Sequence, residues 1–169
     1  MTAAVPVAGQ PCAPRTHSHS RVRLFRFSAV SWNSHRIHYD AEYAALEGFP
    51  DVVVQSTLHG ETLVRYALEW AGPGAALESV SWRNRATAVA GERLTWSATV
   101  RTVEPCDEGV RVTLDVAVHK EDGVPCVTGH VGLTWRAART SPSAGSSPAP
   151  ATSRSASARP GRRRSSGTR

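Results

Sequence analysis

Cysteine is scarce in this chain. Cys12, Cys106 and Cys126 are the only three in 169 residues. The number is odd and no pair has C-x-x-C spacing, which argues against a disulfide framework and a cysteine-rich zinc site. No apolar run approaches the roughly 18 residues that a membrane helix needs, so no membrane partner is expected. Met1 to Pro14 holds neither a basic n-region nor a continuous apolar core, so no secretory signal is expected and a reducing cytoplasm fits best. Acidic residues are missing from one stretch only. Residues 138–169 hold seven arginines and no Asp or Glu, whereas 21–137 holds twelve Lys plus Arg against fourteen Asp plus Glu. The net charge of +6 therefore belongs to a terminal segment, and the body is mildly acidic. A nucleic-acid-binding fold would carry its basic charge on the folded part, so nucleic acid is not an expected partner.

What remains is enough for one ordinary domain, with 40% hydrophobic and 20% charged residues. Residues 1–21 are rich in Ala, Pro, Ser and His without hydrophobic period and read as a disordered leader. His17 and His19 lie in it and are too few for a metal site. Residues 138–169, low in complexity and ending near Arg162, Arg163 and Arg164, read as a solvated disordered basic tail. Between them, 22–137 reads in two halves. The first is irregular and then helical. Asp40 can cap a short helix through Leu46, with Gly48 just beyond. A longer helix is predicted from Ser56 to Ala71, stopping at Gly72, Pro73 and Gly74. Glu61, Arg65 and Glu69 form its narrow charged stripe, so the rest of its surface must be buried.

The second half reads as strands. Val110, Val112, Leu114, Val116 and Val118 alternate with Arg111, Thr113 and Asp115, a strict period of two. Leu94, Trp96, Ala98 and Val100 alternate likewise, and Glu78–Ala86 and Val127–Trp135 are rich in strand formers. Turns at Ala90-Gly91, Cys106–Gly109 and Glu121–Gly123 predict a four-stranded antiparallel meander. The economical fold is α+β, a sheet wrapped around one long helix. Trp82 and Trp96 read as core or interface aromatics.

The densest polar cluster is Ser31 to Asp40. His35 and His38 are side chains that exchange protons near neutral pH, and Asn33 can hold a water or a carbonyl. From chemistry alone, the two histidines could equally be bonding loop backbone. No thiol or carboxylate is placed with them to complete a metal site.

The run Leu24 to Asp40 (LFRFSAVSWNSHRIHYD), followed in order by Tyr43, Glu47–Pro50 and Val52–Gln55, resembles the signature of the MaoC-like hotdog hydratases. It is most similar to the branch of mesaconyl-CoA hydratases and type two hydroxyacyl-thioester dehydratases. The resemblance covers about 22–137 and implies a single hotdog domain. It also implies a hydro-lyase that hydrates 2-enoyl-CoA thioesters or dehydrates 3-hydroxyacyl thioesters, without metal or other cofactor. The broad family pattern is Asp-x-Asn-Pro-x-His, whose first and last positions are Asn33 and His38 here. His38 is then the general base and Asn33 orients the water or the 3-hydroxyl. His35 and Arg36 stand where the family has Asn-Pro, and His35 is either the second acid/base or a loop strut. The helix start at Gln55, Ser56 and Thr57 is the implied oxyanion site, by free backbone N–H groups and the dipole. The family commonly has His-Gly where Gln55-Ser56 stands, and glycine permits backbone that serine resists.

His59, one turn into the helix, reads as packed or surface rather than catalytic. Arg83 and Arg85 either meet CoA phosphates or line the solvent face, with the latter favoured. Relatives in this branch often carry two hotdogs in one chain, so a homodimer, or a heterodimer with another hotdog subunit, is implied. Two rival functions stay open. One is a non-catalytic hotdog subunit completing a partner's site. The other is an acyl-CoA thioesterase, for which Glu61 is the nearest carboxylate and fits the charged stripe better.

Overall fold

The computed structural model describes residues 6–107 and 109–136, and the predicted tail at 138–169 lies outside the described residues. Strand β1 (Pro11–Ser18) leads into helix α1 (Arg21–Ser31), a 3-10 turn (Arg36–His38) and the short helix α2 (Ala41–Leu46). The long helix α3 (Ser56–Ala71) follows, then β2 (Ala75–Asn84), β3 (Arg93–Cys106), β4 (Gly109–Lys120) and β5 (Pro125–Arg136).

Local chemistry sets the helix limits. Asp40 accepts from the Tyr43 N–H at 3.0 Å and starts α2, and Gly48 beyond it takes φ 86°. The Gly72 N–H closes α3 on the Leu68 carbonyl at 2.9 Å, at a φ of 76° that glycine tolerates best. Both helices match the sequence expectation. The α3 stripe is also found, with differences: Arg65 faces Glu69 at 3.9 Å, while Glu61 turns to Arg23 of α1 at 3.7 Å. Leu58, Leu63, Tyr66 and Ala67 are buried against the inner sheet residues Leu94, Trp96, Leu114, Val116 and Leu133. Each fully buried leucine contributes roughly 2 kcal/mol by leaving water. Gly60 lets the sheet close on the helix, because a Cβ there would stand 2.6 Å from the Trp82 ring.

The sheet departs from the expected meander. It has five strands, all pairs antiparallel, in the order β1-β3-β4-β5-β2. The hairpins at Cys106–Gly109 and Glu121–Gly123 stand, but β2 pairs with β5. Ala90-Gly91 is therefore not a hairpin turn. It ends a crossover tied to the segment before α3, with Val54 N–H on the Ala88 carbonyl (2.8 Å) and Ala90 N–H on the Val52 carbonyl (2.9 Å).

The leader also needs correction. Residues 11–18 form β1, an edge strand on β3 with register Thr16 to Thr95 and a bulge between Cys12 and Arg15. Its polar composition is that of an edge whose outward side chains meet water, while Cys12 is buried. His19 is fully buried, with the His17 ring 4.9 Å and the Trp96 ring 5.7 Å away. Residues 21–31, expected as irregular, form α1, capped by Ser20 accepting from the Arg23 N–H.

Candidate active site

The site is assembled where the α1–α2 connection meets the start of α3. Helix α1 ends at Trp32 in the left-handed region (φ 52°), the one non-glycine with positive φ among the described residues. That reversal delivers Asn33, whose N–H returns to the Ser28 carbonyl at 3.0 Å. The Asn33 Oδ1 accepts from the His35 N–H at 3.3 Å, and the His35 Nδ1 accepts from the Ile37 N–H at 3.4 Å. The Tyr39 hydroxyl donates to the Ser34 carbonyl at 2.9 Å. Arg36 pairs with Asp40 at 2.6 Å and lies over the Tyr43 ring, 4.5 Å from its centroid. A loop with this many internal bonds holds its geometry before any ligand arrives.

His38 is fixed by a contact across the chain. Its Nδ1 lies 2.8 Å from the Val53 carbonyl, and the Val53 N–H donates back to the Ile37 carbonyl at 2.8 Å. A carbonyl only accepts, so Nδ1 carries the proton and Nε2 keeps its lone pair. Burial pushes the imidazole below its ordinary range; the Val53 bond opposes this and neighbouring His35 adds to it. The result is a neutral base at neutral pH, held on the carbonyl of Val53, three residues before the first turn of α3.

That first turn is open. Gln55 is its N-cap and makes no side-chain cap bond. The Gln55 side chain turns inward, fully buried, with Nε2 donating to the Leu24 carbonyl (2.8 Å) and Ser28 Oγ (2.9 Å). It braces α1 against α3, so it does not reach the cleft. The Ser56 hydroxyl accepts from Trp82 Nε1 at 3.1 Å, and Ser56 and Thr57 are exposed. What these two residues offer is backbone N–H at the positive end of the helix dipole.

The structure thus brings His38 next to the α3 start and puts His35 beside it, with ring centroids 6.0 Å apart. Asn33 and His38 share a loop but no hydrogen bond joins them among the described residues. Glu61 is exposed on the outer stripe, and His59 is buried inside α3. Sequence reasoning missed the apolar groove beside Asn33. It measures about 460 Å³ and is lined by Phe25, Ala29, Trp32 and Tyr39. The signal was present as Phe25 and Ala29 ahead of the polar motif and Trp32 and Tyr39 within it, but without α1 as a helix nothing placed them together.

A long helix cradled by an antiparallel sheet defines a hotdog domain. The family model for hydroxyacyl-thioester dehydratase type 2 matches residues 6–90, and the chain belongs to that family. It is similar to mesaconyl-C(4)-CoA hydratase of Chloroflexus aurantiacus, 51% identical over 45 residues. That match covers 26% of this chain and 16% of the relative. Among solved structures it is similar to the R-hydratase PhaJ1 of Pseudomonas aeruginosa, with TM-score 0.70 and 25% identity over 78% of this chain and 83% of that one. The ChsH1-ChsH2 complex of Mycobacterium tuberculosis gives TM-score 0.69 and 24% identity, over 80% of this chain and 100% of the matched chain.

Proposed function

We propose that the protein is a hydro-lyase that adds water reversibly to 2-enoyl thioesters. The observation that carries this is the His38 Nδ1 bond to the Val53 carbonyl, which leaves Nε2 as a base beside the open N-terminus of α3. In the forward direction Nε2 takes a proton from water as its oxygen bonds to C3 of the substrate. The electron pair of the C2–C3 double bond moves toward the thioester oxygen, whose growing charge is met by the Ser56 and Thr57 N–H groups. C2 then takes up the proton that Nε2 removed from the water, which returns His38 to its neutral form. The Asn33 amide orients the water through its NH2, since its Oδ1 is engaged in the loop. His35 is the nearest second titratable ring, although its Nδ1 is occupied as a strut. The groove of Phe25, Ala29, Trp32 and Tyr39 would seat an apolar acyl chain. A second hotdog, identical or separately encoded, would close the cleft.

Hydration of crotonyl-CoA and mesaconyl-CoA by the purified chain, read as loss of enoyl-thioester absorbance, tests this against a His38→Ala control. Activity that vanishes in the control is the expected result. An inactive native protein supports the second reading, a subunit that completes a partner's site. The inward-turned Gln55, where the family commonly has histidine, is the observation favouring it. Release of free thiol would instead mark a thioesterase.

A further inference from the structure

The outward face of the sheet carries a groove of about 1010 Å³ that the reaction cleft does not use. Arg83 of β2, Arg85 just beyond it and Arg101 of β3 stand in it, on a body that is otherwise mildly acidic. The one carboxylate lining it, Asp115, is engaged by His130 at 2.8 Å and faces Arg101 at 3.4 Å. Arg101 is the extra residue where the β3–β4 register shifts between Val100 and Thr102, a bulge that re-aims its side chain. The Arg85 Nε donates to Thr128 Oγ1 at 2.9 Å, which fixes the guanidinium plane and leaves its terminal nitrogens without an acceptor among the described residues. A second cavity, about 220 Å³, is lined by Val53, Val54, His59, Asn84 and the same Arg85. Val53 is the residue whose carbonyl holds His38. Arg85 therefore lines both the outer groove and the smaller cavity that reaches the Val53 segment holding His38.

We propose that this groove seats the phosphorylated nucleotide end of a free CoA thioester, with Arg85 as the gatepost and Arg83 and Arg101 farther out. The proposal rests on the thioester hydratase reading and adds the carrier to it. Guanidinium groups bind phosphate oxygens in pairs and with direction. A CoA nucleotide offers a 3′-phosphate and a 5′-diphosphate, which suits several separated arginines. A carrier protein's arm offers a single phosphodiester and would use one of them.

Calorimetric titration of the full chain with adenosine 3′,5′-bisphosphate, beside plain adenosine, is the test. The bisphosphate is expected to bind and adenosine is not. Arg85→Glu should weaken binding about tenfold or more and Arg83→Glu severalfold. Arg93→Glu, an exposed arginine outside the groove, should leave it unchanged. The arginine-rich 138–169 is kept in every variant, so its contribution cancels. No binding by the native protein, or equal loss in Arg85→Glu and Arg93→Glu, overturns the proposal. Kinetics separates it from the hydratase reading. If crotonyl-CoA is hydrated, Arg85→Glu should raise KM with kcat kept, and an unchanged KM sinks the groove alone. Bisphosphate binding by a protein without hydratase activity sinks the hydratase alone.

Discussion

At His38 one contact sets both orientation and charge state. The Val53 carbonyl fixes the tautomer, and burial outweighs that bond in lowering the imidazole below 6.5. The base form is therefore complete at neutral pH and is lost only as pH falls through the lowered value. The acid limb of kcat/KM for enoyl-thioester hydration should lie below pH 6.5. A limb at or above that pH would mean that His38 is not the titrating base. Replacing Gly60 makes a second prediction at this scale. A Cβ at Gly60 meets the Trp82 ring at 2.6 Å, and that ring is anchored through Nε1 to Ser56. Gly60→Ala should cost about 1–3 kcal/mol in chemical denaturation and disturb the α3 start. Unchanged stability would show that Trp82 swings away without penalty. At the residue scale the sequence exposed the polar motif but not the partners. Gln55 occupies a position expected at the oxyanion site, yet its amide braces Leu24 and Ser28, a pairing that only becomes visible once α1 is a helix.

The elements read best where their limits are local. Asp40, Gly48 and Gly72 are caps and stops that act within one turn, so α2 and α3 fall where the sequence puts them. Helix α1 was illegible because its apolar residues do not share a face: Leu24 is buried while Val22, Phe25 and Val30 are exposed. Strand β1 was hidden by two prolines and a bulge, and by its dependence on a partner far along the chain. The β2–β5 pairing is likewise a long-range choice that turn residues do not encode. The N-terminal strap formed by β1 carries a physical consequence. His19 has both ring nitrogens buried without partners, and His59 has its Nδ1 so. Burial pushes His19 to about 3, helped by Arg23, His17, His59 and Arg65, and burial alone pushes His59 to about 4. Glu61 faces Arg23 at 3.7 Å and is the acid on that side. The unfolded chain takes up these protons near pH 6.5, whereas the fold refuses them until far lower. Stability should be full above that pH and fall below it, by about 3 to 5 kcal/mol per site at the acid extreme. Thermal melts from about pH 7 to about pH 4.5 should show the drop, and His59→Leu should flatten it. A melting temperature indifferent to pH over that span would contradict it.

For the whole molecule, the two sheet edges are not equivalent. The β1 edge carries Pro11 and Pro14 and a bulge, devices that discourage further pairing. The β2 edge has no proline over Ala75–Asn84 and borders an apolar cleft of about 670 Å³. Gly60, Val64 and Leu68 of α3 form one wall of that cleft, with Val80 and Trp82 of β2 on the other. An edge free of proline, with its one register shift between Leu77 and Ser79, beside an uncovered helix face is where a second chain adds both hydrogen bonds and apolar burial. Two copies joined along β2 would extend the sheet and bring the second chain over the α3 start, where Ser56 and Thr57 are now exposed. Sedimentation of the native protein should therefore give about twice the 18.1 kDa chain mass. Leu68→Glu, which puts a charge into the cleft without touching the His38 loop, should shift it to single chains. Thr16→Lys on the β1 edge should leave the assembly intact. If the native protein sediments as single chains, β2 is the edge reserved for a separately encoded hotdog, and hydratase activity should then appear only when that partner is added. If Thr16→Lys and not Leu68→Glu breaks the assembly, the pairing edge is β1 and the cleft beside α3 stays open to substrate from that side.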